Sequence, residues 1–337
     1  MEKKPPLTSA EIAMLWTAYM NDSMSKCVLG YMITHASEAE IGAALQFAID
    51  LSTSHLQYLE SLFKEEKMAV PNGFGGGDVN PDAPSLFSDT FCLAYINHMA
   101  KAGMLAYSGM LAMCARNDIR KFFTEGLAET ASLYNMTTNL MLEKGIYIRA
   151  PYISYPHETD YVDTKKYLSG LNPFATKRPL NAVEISHLTV NIQTNSIGLQ
   201  IAAAFAQTAR LKEVQEFMLR GKEISQKHVG IFTKTLLESN IQAVGSPNIA
   251  VYDTTEQIFS DKLMMFHMSL LSATGSGNYA TAGIASQRTD VAASYQRLAV
   301  EIALYAKSGA DIMIKHGWLE QPPGTTDRDA LAKKGTP

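Results

Sequence analysis

The sequence predicts an all-α protein built from two tandem four-helix bundles that are related by internal duplication. Three observations support this fold class. The second half of the chain repeats the first at a shift of about 173 residues, four segments of each copy carry apolar residues at helical spacing, and strand-like alternation is nearly absent. The repeat is far longer than the roughly 20–50 residues of a solenoid unit, so we expect each copy to form a domain.

Matched residues at this shift reveal which positions the two copies share. The matched pairs include Asp50 with Glu223, His55 with His228, Tyr107 with Tyr279, Glu129 with Glu301, and Gly145 with Gly317. Polar residues present in both copies are candidates for either a structural or a functional role. The duplication by itself does not say which.

Each copy contains four predicted helices, and each predicted bundle takes its bounds from them. The first bundle covers 7–146, with helices at 9–36, 38–67, 85–115 and 117–144. The second bundle covers 180–320, with helices at 181–209, 211–240, 255–287 and 289–316. Ser9, and Asn181 followed by Glu184, have the pattern of helix N-caps. Gly145 and Gly317 are well placed to end the last helix of each copy.

Loop lengths predict how the helices of each copy are connected. The first and second helices, like the third and fourth, are joined by one or two residues, so each pair is expected to form an antiparallel hairpin. Long crossovers, 68–84 and 241–253, join the hairpins. This connectivity is typical of ferritin-like bundles. The glycine run at 71–77 lacks the strand, helix and Lys-Ser/Thr context of a phosphate loop and is expected to be an extended crossover.

Two segments lie outside the predicted bundles. The linker, 147–179, is rich in tyrosine, proline and charge, and we expect it to pack across both bundles. The C-terminal tail, 321–337, is expected to fray at its end.

Composition limits the classes of function. The formal net charge is −4 and no basic block occurs, which argues against sequence-independent binding to nucleic acid. No apolar run is long enough to span a bilayer, and the N-terminus lacks an apolar signal core. The three cysteines, Cys27, Cys92 and Cys114, all lie in the first copy and are expected to be reduced, which favours a cytoplasmic location.

A dinuclear metal site of the ferritin-like type requires a Glu-x-x-His pair in each half of a bundle. The sequence does not supply it, because Asp50 and Glu223 precede a histidine by five residues. That spacing places acid and imidazole on different helix faces. Glu129 and Glu301 are followed three residues later by Ser132 and Leu304 rather than by histidine.

Two interpretations of the remaining histidines stay open. In the first, His55 with Glu129 and His228 with Glu301 form buried hydrogen-bonded pairs that need no metal. In the second, a mononuclear iron, manganese or zinc site in the second bundle uses His187, His228 and Glu301, with Glu184 nearby. We predict no catalytic residue and no organic cofactor.

Several strings in the second copy resemble a family of unknown function, DUF3231, and the resemblance extends over almost the whole chain. They are Lys177-Arg178-Pro179-Leu180-Asn181, Glu223-Ile224-Ser225, Phe259-Ser260-Asp261-Lys262-Leu263 and Gly317-Trp318-Leu319-Glu320. The resemblance implies two tandem ferritin-like bundles and an endospore-forming, Bacillus-type source, but no activity. The bundles also resemble those of CotF-type spore coat proteins, at the level of the fold alone.

Three functions are compatible with these features. The favoured one is a non-enzymatic structural or interaction protein that self-associates and is located in the mother cell or on the spore. The second is a ferritin-like metal-binding protein or oxidoreductase with its site in the second bundle. The third is a small-ligand binder whose pocket lies between the bundles and is lined by linker tyrosines.

Overall fold

A computed structural model describes residues 5–172, 176–242, 245 and 250–334. Within these ranges the fold is all-helical, and the predicted tandem bundles are confirmed. The first bundle comprises α1 (Ser9–His35), α2 (Ala39–Glu65), α3 (Asp89–Ala112) and α4 (Asn117–Glu143). The second comprises α5 (Ala182–Thr208), α6 (Lys212–Leu237), α7 (Asp261–Ala285) and α8 (Thr289–Lys315), and a short α9 (Arg328–Lys334) follows. None of the described helices is long and apolar enough to cross a membrane.

Side chains just before the first helix of each bundle determine where that helix begins. Thr8, rather than the predicted Ser9, caps α1 and forms a capping box with Glu11. Asn181 caps α5 and forms the same box with Glu184, as its spacing predicts. Gly145 and Gly317 follow α4 and α8 with φ angles of +67° and +66°, a conformation that favours glycine.

The two capping-box glutamates also tie distant helices together. Glu11 is 1% exposed and accepts hydrogen bonds from the backbone N–H groups of Ala115 (3.0 Å) and Arg116 (2.6 Å) at the α3–α4 turn. Glu184 is fully buried and accepts from the backbone N–H of Arg288, at the equivalent α7–α8 turn, at 2.8 Å. Each buried carboxylate therefore fixes the start of one helix against a turn about 104 residues away.

An aspartate plays the corresponding role at the opposite end of each bundle. Asp89, at the start of α3, accepts hydrogen bonds from the backbone N–H groups of Ser37 (3.0 Å) and Glu38 (2.8 Å) in the α1–α2 turn. Asp261, at the start of α7, accepts from Arg210 and Leu211 in the α5–α6 turn. Both turns consequently have their backbone donors satisfied by a charged group, which stabilises the antiparallel hairpins.

The two long crossovers pair with each other rather than lying separately over their own bundles. Isolated antiparallel bridges join Val79 to Phe259 and Phe87 to Val251. Two of these four residues, Phe87 and Phe259, lie in segments that the sequence patterns predict to be helical. As a result α3 and α7 begin four and six residues later than predicted, after the N-caps Ser88 and Ser260.

Each bundle has a buried apolar cluster of its own, and a third cluster is shared between the two bundles. The largest buried cluster draws residues from both copies, and the rings of Tyr31 and Phe259 meet edge-to-face at 5.3 Å within it. At its centre the hydroxyl of Tyr95 lies 2.8 Å from Nε2 of His267. These two residues occupy equivalent positions in α3 and α7, so this hydrogen bond lies on the pseudo-two-fold axis of the duplication.

Among its described residues, the linker packs on the bundles only near its two ends. Tyr147 packs against the shared core, and the guanidinium of Arg178 lies 4.1 Å from the ring centre of Tyr167. Residues 152–166, between these anchors, are exposed throughout, contrary to the packing predicted for the whole linker. The segment also carries charged residues, among them Glu158, Asp160 and Asp163, whose burial against the bundles without partners would be costly.

Replacing Glu11 tests the role of the buried carboxylate. Burial alone would raise the pKa of Glu11, but hydrogen bonds from the Thr8, Arg116 and Ala115 backbones and the Thr8 hydroxyl lower it to about 2. We expect Glu11→Gln to lower the free energy of unfolding by about 1–3 kcal/mol. The NH₂ group of glutamine would face hydrogen-bond donors that the Glu11 carboxylate accepts from, and those donors would lose their acceptor. Denaturant unfolding at pH 7 measures this change.

The pH dependence of unfolding and a matched control complete the test. A carboxyl with a lowered folded-state pKa stabilises the fold above its ordinary value of 4.5, and this stabilisation is lost as pH falls toward about 2. The free energy of unfolding of Glu11→Gln should therefore fall less than that of the wild type over that pH range. Glu223→Gln, at an exposed position of α6, should change stability by less than about 0.5 kcal/mol. Equal effects of the two substitutions would rule out the proposed role of Glu11.

Candidate functional site

Each bundle contains a layer of four polar side chains near its middle, one from each helix. The first polar layer consists of Asp22 (α1), His55 (α2), Tyr107 (α3) and Glu129 (α4). The second polar layer consists of Asn195 (α5), His228 (α6), Tyr279 (α7) and Glu301 (α8). The members occupy equivalent positions in the two copies and differ only in the exchange of Asp22 for Asn195.

In the first polar layer, both ring nitrogens of His55 have partners. Nε2 lies 3.0 Å from Oε2 of Glu129, and Nδ1 lies 2.8 Å from the hydroxyl of Tyr107 and 3.4 Å from Oδ2 of Asp22. The Tyr107 hydroxyl donates to Asp22 at 3.3 Å. Since that hydroxyl has only one proton, Nδ1 of His55 must donate to it, which favours an imidazole protonated at both nitrogens.

In the second polar layer the hydrogen-bond chain runs in the opposite direction. The amide of Asn195 donates to the Tyr279 oxygen at 2.8 Å, and the Tyr279 hydroxyl lies 2.9 Å from Nδ1 of His228. Tyr279 therefore donates its proton to Nδ1, and Nε2 of His228 donates to Glu301 at 3.2 Å. This arrangement suits a neutral imidazole. Glu301 also accepts two bonds from Lys227, at 2.7 and 2.8 Å.

The exchange of aspartate for asparagine gives the two histidines opposite pKa shifts. Burial alone would lower the pKa of His55, but its hydrogen bonds and charge interactions with Asp22 and Glu129 outweigh burial and raise it. Burial also lowers the pKa of His228, the charges of Lys227 and Arg297 lower it further, and Glu301 offsets these effects only in part. The first layer therefore stabilises the protonated form of its histidine, while the second stabilises the neutral form.

The geometry of the first layer does not suit a metal ion. Asp22 and Glu129 lie against opposite nitrogens of one imidazole, so no single ion can contact both carboxylates and a nitrogen between them. In the second layer Asn195 replaces the aspartate and leaves one histidine and one carboxylate. Among the described residues, no group of three or more His, Cys, Asp or Glu side chains is placed to hold a metal ion.

Of the four residues proposed as metal ligands, the described contacts bring together only His228 and Glu301. The carboxylate of Glu184 instead accepts hydrogen bonds from the guanidinium of Arg178, at 2.7 and 2.8 Å, and takes part in the capping box of α5. His187 makes no hydrogen bond to either member of the His228–Glu301 pair among the described contacts. Asn195, eight residues or about 12 Å further along α5, lies in the layer of His228 and Glu301, where the proposed mononuclear site requires His187.

Sequence reasoning missed half of each layer. Tyr107 and Tyr279 were visible as a repeated pair, but a tyrosine on an apolar helix face carries no signal of its hydrogen-bond partner. Asp22 and Asn195 differ in residue type, so a search for identical polar residues passes over them. Aligning the copies by position, rather than by identity, would have found both.

Comparisons with known proteins give a family but no activity. A family model described as "Protein of unknown function (DUF3231)" matches residues 1–158 and 168–331. Among solved structures, a "putative spore coat protein" from Bacillus halodurans C-125 is 17% identical, with a TM-score of 0.41, and the match covers 44% of this chain and 98% of that one. No curated protein matches the chain.

Exchanging Asp22 and Asn195 tests the cause of the opposite pKa shifts. In wild-type protein we expect the ring signals of His55 to titrate above pH 6.5 and those of His228 below it. Asp22→Asn should move the His55 titration below 6.5, because it removes the carboxylate beside Nδ1. The reciprocal control, Asn195→Asp, should raise the pKa of His228. NMR of the imidazole signals, assigned with His55→Gln and His228→Gln, measures each value.

The same exchange has a consequence for stability. A histidine whose pKa is raised on folding adds stability below its ordinary value of 6.5, and that stability is lost as pH rises through the folded-state pKa. Asp22→Asn should therefore destabilise the protein more at pH 6 than at pH 9. An unchanged His55 titration in this variant would show that Asp22 does not set the protonation of the layer.

Proposed function

We propose that this chain, which belongs to the DUF3231 family of proteins of unknown function, is a non-enzymatic scaffold that self-associates and is associated with the spore of an endospore-forming bacterium. The self-association is assigned to the exposed linker segment 152–166, and the partner is a second copy of the chain. The two bundles serve as the rigid body that carries this segment.

The observation that carries the proposal is the exposure of large apolar side chains in this segment. Tyr152 and Tyr155 are each 77% exposed and Tyr161 is 93% exposed. Ile153 and Val162, each next to one of these tyrosines in the sequence, add further exposed apolar surface. Tyrosine is enriched at protein interfaces because its ring buries a large area while its hydroxyl stays hydrogen-bonded. Such side chains clustered in one short segment favour an interaction surface.

The interior of the bundles supports a scaffold rather than an enzyme. In both polar layers the histidine nitrogens are bound to side chains of neighbouring helices, so they hold the helices in register. The alternative, a metal-binding protein or oxidoreductase with its site in the second bundle, has weaker support, because of the four proposed ligands only His228 and Glu301 lie together.

The spore association rests on the endospore-forming setting that the family implies, and on no feature of the fold. It predicts that the chain fractionates with purified spores of its native host. Recovery from vegetative cells alone would exclude this part of the proposal and leave the scaffold role to be tested separately.

Removing the exposed tyrosines tests self-association. We expect the wild-type mass, measured by size-exclusion chromatography with light scattering, to rise above that of the monomer as concentration increases. The variant Tyr152→Ser/Tyr155→Ser/Tyr161→Ser should remain monomeric, since it loses the apolar surface while the bundles stay intact. Tyr252→Ser, which replaces a tyrosine that is 46% exposed outside the segment, should behave as the wild type does. A wild-type protein that stays monomeric at high concentration would refute the proposal.

A further inference from the structure

The two bundles contain equivalent cavities beside their polar layers, and the cavities differ in size. The cavity of the first bundle has a volume of about 140 Å³. It is lined by Asp22, His55 and Tyr107, by further polar side chains that include Ser25 and Thr130, and mainly by apolar side chains of α1–α4 and α7. The equivalent cavity of the second bundle has a volume of about 60 Å³ and is lined by Asn195 and Tyr279. The duplication has therefore kept the position of the cavity and changed its volume.

A pair of exchanged residues accounts for much of the difference. In the second bundle the ring of Tyr305 fills the space and its hydroxyl donates to the backbone oxygen of Phe217 at 3.2 Å. Gly221 makes this possible, because a Cβ at that position would lie 2.3 Å from the Tyr305 hydroxyl. The equivalent residues of the first bundle are Leu133 and Ala48, and both line the larger cavity.

The larger cavity has one polar end and an apolar body. The polar end is Asp22, whose Oδ2 is held by Tyr107 and whose Oδ1 has no hydrogen-bond partner among the described residues. The apolar wall includes Leu29, Ile96, Met99 and Leu133, and Leu270 of α7 contributes to it from the second bundle. A carboxylate oxygen only accepts hydrogen bonds, so the cavity is suited to a ligand that donates one.

We propose that the cavity of the first bundle binds a small molecule with a compact apolar body and a single hydrogen-bond donor, a hydroxyl or an ammonium group, directed at Asp22. The volume supports a body the size of a benzene ring, since an apolar cavity of about 150 Å³ holds benzene. The negative charge of the Asp22 carboxylate favours ligands that donate a hydrogen bond to it and disfavours anionic ligands. This site is independent of the proposed self-association, because it uses none of the residues 152–166.

Four probes that share a ring but differ in polar group test the ligand class. Toluene has no donor, benzyl alcohol has a hydroxyl, benzylamine has an ammonium group and benzoate is an anion. Isothermal titration calorimetry and thermal shift should show binding of benzyl alcohol, benzylamine or both, at least about tenfold tighter than toluene, and no binding of benzoate. The stronger of the two donors identifies the polar group. Equal binding of all four probes, or binding of none, would overturn the proposal.

Two variants copied from the second bundle locate the site. Asp22→Asn should weaken the donor probes about tenfold, because a hydrogen bond to a neutral oxygen is weaker than one to a carboxylate. The double variant Ala48→Gly/Leu133→Tyr should abolish binding by filling the cavity as Tyr305 does. Circular dichroism shows whether each variant is folded. As a control in the second bundle, Gly221→Ala should leave probe binding unchanged. Wild-type affinity in either copied variant would place the ligand elsewhere and contradict the proposal.

Discussion

The histidines His55 and His228, buried in the middle of the two bundles, each have a partner at both ring nitrogens, and these hydrogen bonds organise each half of the molecule. The partners are a tyrosine from the third helix and a glutamate from the fourth, and the first helix completes the layer. The two hairpins of a bundle are thereby joined by directional bonds as well as by apolar packing. Unsatisfied buried nitrogens would cost more than these bonds contribute, so the layer fixes the register of all four helices.

Carboxylates at the two ends of each bundle complete this restraint. Glu11 and Glu184 hold the third-to-fourth helix turns, while Asp89 and Asp261 hold the first-to-second turns. Because the scaffold is fixed at three levels, the two copies could diverge inside it. Where the first copy has Asp22 the second has Asn195, and this difference reverses the direction of the hydrogen-bond chain in the polar layer. Tyr305 of the second copy fills space that is a cavity in the first. The duplication preserved architecture and changed local chemistry.

The helices and hairpins were predictable because their signals are local. Capping residues, terminal glycines and one- or two-residue turns placed most helix ends within a few residues. The beginnings of α3 and α7 were wrong because the pairing of Phe87 with Val251, and of Val79 with Phe259, joins segments far apart in sequence. The shared core was missed for the same reason, since the Tyr95–His267 contact depends on how the copies dock. In the polar layers the His–Glu spacing was visible, whereas the tyrosine and the Asp/Asn position required knowledge of helix rotation.

The account rests on the claim that the ring nitrogens of His55 and His228 are bound by side chains of the polar layers and hold no metal. Elemental analysis of protein purified without chelators tests it most directly. The account predicts less than one equivalent of iron, manganese or zinc per chain, and the same content in wild type and His228→Ala. Near-stoichiometric metal that is lost in His228→Ala would contradict it and would restore a metal centre in the second bundle as the basis of function.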